Sequence, residues 1–268
     1  MLPQALRPDW PAPAGITALM STRDGGVSRS PFDTLNLRPA GMAAPGHPLA
    51  DSPVAIAENQ RRFAQALGAA PVWLNQVHGT AVLRLTAESL QPGARLPQAD
   101  ASVCTVPGIA CTVLVADCLP VLLCSADGTA VAAAHAGWRG LAAGVIDNTV
   151  AALCQAAGTG PDQLLAWLGP CIGPAAFEVG PDVLLAFGAD LHQPDPALFV
   201  PSAGRHGSPR WHADLPALAR RRLAALGLQH VSGGRHCTVA DASRFFSFRR
   251  DGCAGPTGRM AAAIAIRG

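Results

Sequence analysis

The sequence predicts an α+β fold, and three observations carry that reading. Short apolar runs crowd the centre of the chain, an Asp-Gly hairpin signal joins two of them, and segments of helical spacing separate the blocks of runs. Strands that pair with their sequence neighbours, with helices between blocks, favour α+β over a doubly wound parallel sheet.

In order, GITALMSTRDGGVS (15–28) reads as a strand and a Gly-Gly turn, and AIAENQRRFAQALG (55–68) as an amphipathic helix ending at Gly68. A strand is expected at PVWLNQVHG (71–79). The runs ASVCTV, ACTVLVADC, PVLLCS and, past Asp127-Gly128, TAVAAAHAG then read as adjacent, buried strands. From Gly140 the pattern becomes helical in LAAGVIDNTVAALCQAAG, with Gly158 as the stop. A strand at LLAWLG, helices near GPDVLLAF and at DLPALARRRLAALG, and closing strands at RFFSFRR and RMAAAIAI complete the list. Segments 38–53 and 91–100 read as loops, neither long enough to force two domains, so residues 1–268 are expected to form a single domain.

Composition narrows the function. The formal net charge is +2, the arginines are scattered, and the chain has neither Lys nor Tyr. Nucleic-acid and membrane-surface binding are therefore not expected, and small partners are. Prolines break the N-terminal segment where an export signal needs an apolar core, which predicts a cytoplasmic protein. Charged residues, prolines and Gly128 interrupt the apolar region 101–138, so no membrane span is expected. The eight cysteines form no CxxC pair and read mainly as small buried hydrophobes.

Three segments each place a metal-capable or nucleophilic residue at the end of an apolar run: LNQVHGT with His78, VADCLPV with Cys118 and AAAHAGWRG with His135. Two imidazoles and a thiolate make a zinc set with an open fourth position. The same residues also suit a cysteine hydrolase, with Cys118 as nucleophile, His135 or His78 as base and Asp117 as the orienting acid. In GWRG the glycines permit close approach of a ligand, and Arg139 with the following helix N-terminus offers an anion site. Arg23 in STRDGGVS sits beside a glycine turn in the same way. LGPCIGPAAFEVG (168–180) reads as an irregular structural turn, and Arg249, Arg250, Asp251 and Arg259 as a salt-bridged corner.

The ordered set STRDGGVS, LNLRPAG, NQVHGT, ADCLPVLL, AAAHAGWRG, LGPCIGPAAFEVG, CT at 237–238, FFSFRRDG and TGRMA resembles the laccase-domain family, also called purine nucleoside phosphorylase or polyphenol oxidase, which includes the peptidoglycan editing factor. The resemblance runs from about Gly15 to Ile266. It implies one α+β domain of four layers, α/β/β/α, with mixed sheets, similar to the cysteine-hydrolase-like fold of a bacterial necrotizing toxin. It also implies zinc, or alternatively copper, on His78, Cys118 and His135 as the catalytic set. The implied activities are phosphorolysis of adenosine, inosine, guanosine and methylthioadenosine to the base and ribose 1-phosphate, and deamination of adenosine. Editing of peptidoglycan precursors by amide cleavage is the alternative, and copper polyphenol oxidation ranks below both, since the remaining histidines show no HxH spacing. Arg23 and Arg139 are expected to hold phosphate, and Asn36 and Gln76 to contact the nucleoside. The oligomeric state is left open, a monomer included. The chain departs from the family in RRDGCAGPTGRMA, where an insertion carrying Cys253, Gly255 and Pro256 bears on the position of Arg259.

Overall fold

The computed structural model describes residues 2, 4–42, 50–91, 96–203, 208–252 and 255–268. Strand β1 (Ile16–Met20) precedes helix α1 (Pro53–Leu67), followed by β2 (Ala70–Val72), β3 (Val82–Arg84), β4 (Ala101–Cys104), β5 (Ile109–Val115), β6 (Leu119–Ser125) and β7 (Val131–Ala136). Helices α2 (Trp138–Ala143) and α3 (Val145–Ala157) come next, then β8 (Leu164–Leu168), β9 (Glu178–Val179) and α4 (Pro181–Ala186). The chain finishes with β10 (Phe199–Ser202), β11 (Arg210–Ala213), α5 (Leu215–Ala225), β12 (His230–Gly233), α6 (Phe248–Asp251) and β13 (Met260–Ile266).

Two mixed sheets face one another. One has the order β1-β13-β5-β2, the other β12-β8-β6-β7-β4-β3, and a small sheet β10-β11-β9 lies apart. Burial on both faces explains why the central strands read as unbroken apolar runs. Along β13, Met260, Ala262 and Ile264 enter the core between the sheets, while Ala261, Ala263 and Ala265 pack with Phe63 and Leu67 of α1. Along β7, Val131 and Ala133 face the first sheet, whereas Ala132 and Ala134 pack with Val150 and Leu153 of α3. The α/β/β/α layering follows from these alternating contacts.

Helix α1 begins where Ser52 accepts a hydrogen bond from the N–H of Ala55 and stops at Gly68, whose φ of 76° a glycine adopts without strain. Three expectations change in detail. The strand expected at 71–79 ends at Val72; beyond it the Gln76 amide donates to Leu114 O (2.9 Å) and accepts from Leu114 N–H (2.7 Å), so a side chain replaces a ladder rung. RFFSFRR is no strand: Phe245 and Phe246 are both buried, and Ser247 caps the short helix α6 by accepting from Arg250 N–H. The helical segment after β7 starts at Trp138, not after Gly140, and breaks at Gly144, whose φ is 100°. Cys104, Cys111, Cys124 and Cys171 are buried as expected, Cys118, Cys154 and Cys237 only partly, and Cys253 lies outside the described residues.

Buried Asn59 on α1 fixes the segment before the helix. Its side chain donates to Ser28 Oγ (2.9 Å), Thr34 O (3.1 Å) and Asn36 O (3.0 Å), and accepts from Val27 N–H (2.9 Å). Replacing it strands several buried polar groups, so Asn59→Ala should lower unfolding stability by about 3 kcal/mol, read as a reduced urea midpoint with unchanged m-value.

Candidate metal centre

Strand register brings the sequence-selected residues together. In the β6/β7 pair Leu119 faces Ala136 and Pro120 faces His135, so Cys118, just ahead of β6, stands beside the end of β7. In the β4/β7 pair Ala101 faces Ala134, which sets Asp100 beside His135, and His135 N–H donates to Asp100 O at 2.7 Å. The two-residue period of β7 puts His135 on the same face as Val131 and Ala133, so its ring emerges at the end of the space between the sheets. His78 arrives from the loop before β3 with φ of 62°, a left-handed conformation uncommon outside glycine.

Asp100 holds that loop. Its completely buried carboxylate accepts from the N–H groups of Val77 (3.1 Å), His78 (2.9 Å) and Gly79 (2.7 Å), a nest of three consecutive donors. The same carboxylate meets His135 Nδ1 at 2.9 Å. Burial opposes its ionisation, but the His135 bond and the Gly79 and Val77 donors prevail and keep its pKa below the usual carboxylate range. An ionised Asp100 accepts only, so His135 keeps a proton on Nδ1 in either charge state and turns Nε2 to the site.

The ligand atoms of His78, Cys118 and His135 all lie within 4.8 Å of one another. Cys118 Sγ is 3.8 Å from His78 Nε2, and the two imidazoles meet edge to face with centroids 4.8 Å apart. Tetrahedral zinc bonds to sulfur and nitrogen imply a separation of about 3.6 Å, close to that of the Cys118–His78 pair. Gly137 is required beside them, because a Cβ there would lie 3.0 Å from both Cys118 Sγ and His78 Cδ2. Burial pushes the Cys118 thiol up, but neighbouring His135 and His78 outweigh it and bring its pKa down to about 6. Burial likewise disfavours the His135 imidazolium, yet the Cys118 thiolate and Asp100 raise its pKa to about 9. Two imidazoles and a thiolate so placed could hold a soft divalent cation.

The trio lies in a cavity of about 390 Å³ whose walls include Gln76, Leu114, Val115, Ile172 and Phe248, together with the guanidinium-bearing Arg38, Arg249 and Arg259. Gln76 thus reaches the cavity, although its amide is already bonded to Leu114. Arg23, Asn36 and Arg139 do not line it. Arg23 donates to Asp33 O and Ala242 O, and Arg139 is exposed and stacks on the Trp138 ring at 4.3 Å. Asn36 is buried and acts on the backbone, its Oδ1 accepting from the N–H groups of Arg38 and Arg259. Asp117, the orienting acid of the hydrolase scheme, does not meet either imidazole: its carboxylate accepts from Thr238 Oγ1 (2.5 Å) and Arg249 N–H (2.6 Å). Asp100 takes that place, and its one sequence signal was an acidic residue abutting the buried run ASVCTV. The corner Arg250–Asp251 is an ion pair as expected (2.7 Å), whereas Arg249 and Arg259 turn to the cavity.

Asp100 orients a metal-capable imidazole from outside the donor trio, and changes at such positions cost roughly 10–100-fold in metal affinity. Asp100→Asn should weaken zinc binding by that amount in competition with a chromogenic chelator; unchanged affinity would show that the nest and the His135 bond do not matter to the metal.

Comparison with known proteins extends the likeness beyond the site. A family described as multi-copper polyphenol oxidoreductase laccase matches residues 17–267. The Pseudomonas aeruginosa protein named purine nucleoside phosphorylase PA4543 is 49% identical over 259 residues, covering 97% of each chain. Purine nucleoside phosphorylase YfiH of Escherichia coli K12 is 48% identical over 259 residues, covering 96% of each. Among solved structures, a Neisseria meningitidis protein superposes with a TM-score of 0.83 at 46% identity, over 98% of this chain and 99% of that one. Bacillus licheniformis YfiH gives 0.81 at 26% identity, over 94% and 93%. With sequence and fold matched nearly end to end, the chain belongs to the multi-copper polyphenol oxidoreductase laccase family.

Proposed function

We propose that the protein is a zinc-dependent purine nucleoside phosphorylase, acting on adenosine, inosine, guanosine and methylthioadenosine, with adenosine deamination at the same site. One observation carries the reading: three side chains that can hold a metal converge in a cavity of nucleoside size and leave a coordination position open to it. The names of the P. aeruginosa and E. coli relatives support it. Among the described residues His78, Cys118 and His135 are the one such donor cluster, which suits a single zinc, or a single copper, better than the several coppers of an oxidase. The free thiols of the described cysteines agree with a cytoplasmic setting, and no described helix is long and apolar enough to cross a membrane.

In phosphorolysis a phosphate oxygen bonds to C1′ of the ribose while the bond from C1′ to the purine nitrogen breaks; the electron pair leaves with the base, which takes up a proton. Zinc, when bound, supplies Lewis acidity in the cavity. The chain's own residues do the rest. Asp100 fixes the tautomer of His135, and Leu114, Val115 and Ile172 keep water from the reacting bond. Phe248 is 60% exposed yet lines the cavity, an apolar ring that a flat purine base would cover. The lowered pKa of Cys118 favours one second reading, in which the thiolate bonds to an amide carbonyl of a cell-wall precursor, the C–N bond breaks, the amine leaves with a proton, and water hydrolyses the thioester to restore the thiolate.

A nucleoside panel with and without phosphate, on protein of measured metal content, separates these readings. Base release from inosine should require phosphate, and His135→Ala should reduce it by more than the roughly 100-fold that changes outside the ligand set cost, with loss of zinc. Full zinc and full phosphorolysis in that variant would refute the assignment, while silence on nucleosides with cleavage of an amide-bearing muropeptide would favour the second reading. Phe248→Ala should raise the KM for inosine about tenfold, as expected for one lost base–aromatic stack, with kcat little changed and Phe248→Trp close to wild type.

A further inference from the structure

We infer that Arg38 and Arg259, with Arg249 at the rim, form a subsite for a tetrahedral oxyanion, and that its occupant is inorganic phosphate. This assignment of the co-substrate rests on the phosphorylase reading.

The three guanidinium groups line the same cavity as the metal trio. Every Asp and Glu of the chain is among the described residues, and none of them forms an ion pair with Arg38, Arg249 or Arg259. The other arginines near this end of the sheets are differently placed: Arg244 pairs with Asp241 and Arg250 with Asp251. Three cations in a partly dry cavity, none in contact with a carboxylate and opposed there only by Asp117 and the Cys118 thiolate, mark a place suited to an anion.

The arrangement is also fixed in place. Arg38 comes from the segment before α1 and Arg259 from the residue before β13, and buried Asn36 joins them by accepting from both main-chain N–H groups, at 3.2 and 2.9 Å. Their side chains reach few acceptors. Arg38 Nη2 donates to Met42 O (3.2 Å), and Arg259 Nη1 to Thr257 O (3.1 Å) and Gly258 O (3.0 Å); no other partner of either guanidinium occurs among the described residues. Burial lowers the pKa of both, and Arg38 lowers that of Arg259 further, against partial support from the Cys118 thiolate and Asp117. A bound oxyanion relieves both the desolvation and the mutual repulsion, through charge-assisted and potentially bidentate hydrogen bonds. Arg249 is more exposed; its Nη1 donates to Ala176 O (3.3 Å) and Glu178 O (3.2 Å), which sets it at the rim. Phosphate is favoured over a substrate carboxylate because several separate guanidinium groups match an ion that presents oxygens in every direction.

The test uses zinc-loaded full-length protein, with inorganic phosphate alone as the binding probe and inosine phosphorolysis as the activity. Arg38→Gln and Arg259→Gln should each raise the KM for phosphate about tenfold or more, with the KM for inosine changed less than twofold, and should abolish most of the rise in melting temperature that phosphate produces in the wild type. Without phosphate, both variants should melt at or above the wild-type temperature, since a desolvated charge with no ion-pair partner has been removed; a merely structural arginine would lower it. Arg259→Lys, retaining charge without the planar fork, should fall between. Phosphorolysis with an unchanged phosphate KM in both Gln variants would overturn the subsite, as would equal losses for phosphate and inosine. If the wild type binds phosphate through these arginines but releases no base from nucleosides, the subsite stands and the phosphorylase reading falls. If the wild type instead binds a carboxylate-bearing muropeptide through them and ignores phosphate, the assignment of phosphate is wrong.

Discussion

The buried carboxylate of Asp100 is the interaction on which the site depends. It accepts from three consecutive main-chain N–H groups and faces His135 Nδ1, so one ion determines the left-handed conformation of His78 and the tautomer of His135 together. A buried ion is tolerated only when hydrogen bonds replace its lost hydration, and four donors around Asp100 do so. Two metal-capable imidazoles from separate segments are thereby held to a common anchor. The third, Cys118, comes into place through the β6/β7 register and needs no such anchor.

The site lies where the two sheets end because an opening of the inter-sheet core arises there without a break in either ladder. Between the sheets Val113, Leu122 and Met260 are wholly buried, and the cavity opens at the last residues of β5, Leu114 and Val115, and the bend carrying Asp117 and Cys118. Asp117, itself at φ of 101°, ties that bend to Thr238 and to the start of α6 through Arg249 N–H. Ile172 N–H donates to Asp117 O at 2.8 Å, which adds the segment after β8 to the same knot. Four segments remote in sequence are thus fixed around one concavity. Its walls carry both signs of charge, the Asp117 carboxylate and the Cys118 thiolate with the guanidinium groups of Arg38, Arg249 and Arg259.

Much of this was legible in the sequence. Unbroken apolar runs reported strands covered on both faces, Asp127-Gly128 reported the β6/β7 hairpin, and Gly68 and Gly158 reported helix ends. The metal-capable trio could be selected because each member ends an apolar run beside a residue that breaks the strand. RFFSFRR was misread because consecutive phenylalanines mimic a strand, whereas Ser247 capping and the Asp117 bond to Arg249 N–H favour a helical turn. The glycines beside Arg23 and Arg139 are a local cue that says nothing about which way a side chain points once packed. In the fold one is spent on carbonyls and the other on the Trp138 ring.

By itself the sequence determined the class of fold, the burial of its strands and the chemical identity of the metal-capable set, because these follow from periodicity, composition and residue type within short windows. Only the tertiary structure decided what surrounds that set. Asp100 acquires its role from facing His135 across a ladder, and Arg38 and Arg259 acquire theirs from meeting at Asn36 although they lie near opposite ends of the chain. Charge, desolvation and hydrogen-bond satisfaction depend on neighbours in space, and no local stretch of sequence carries that information.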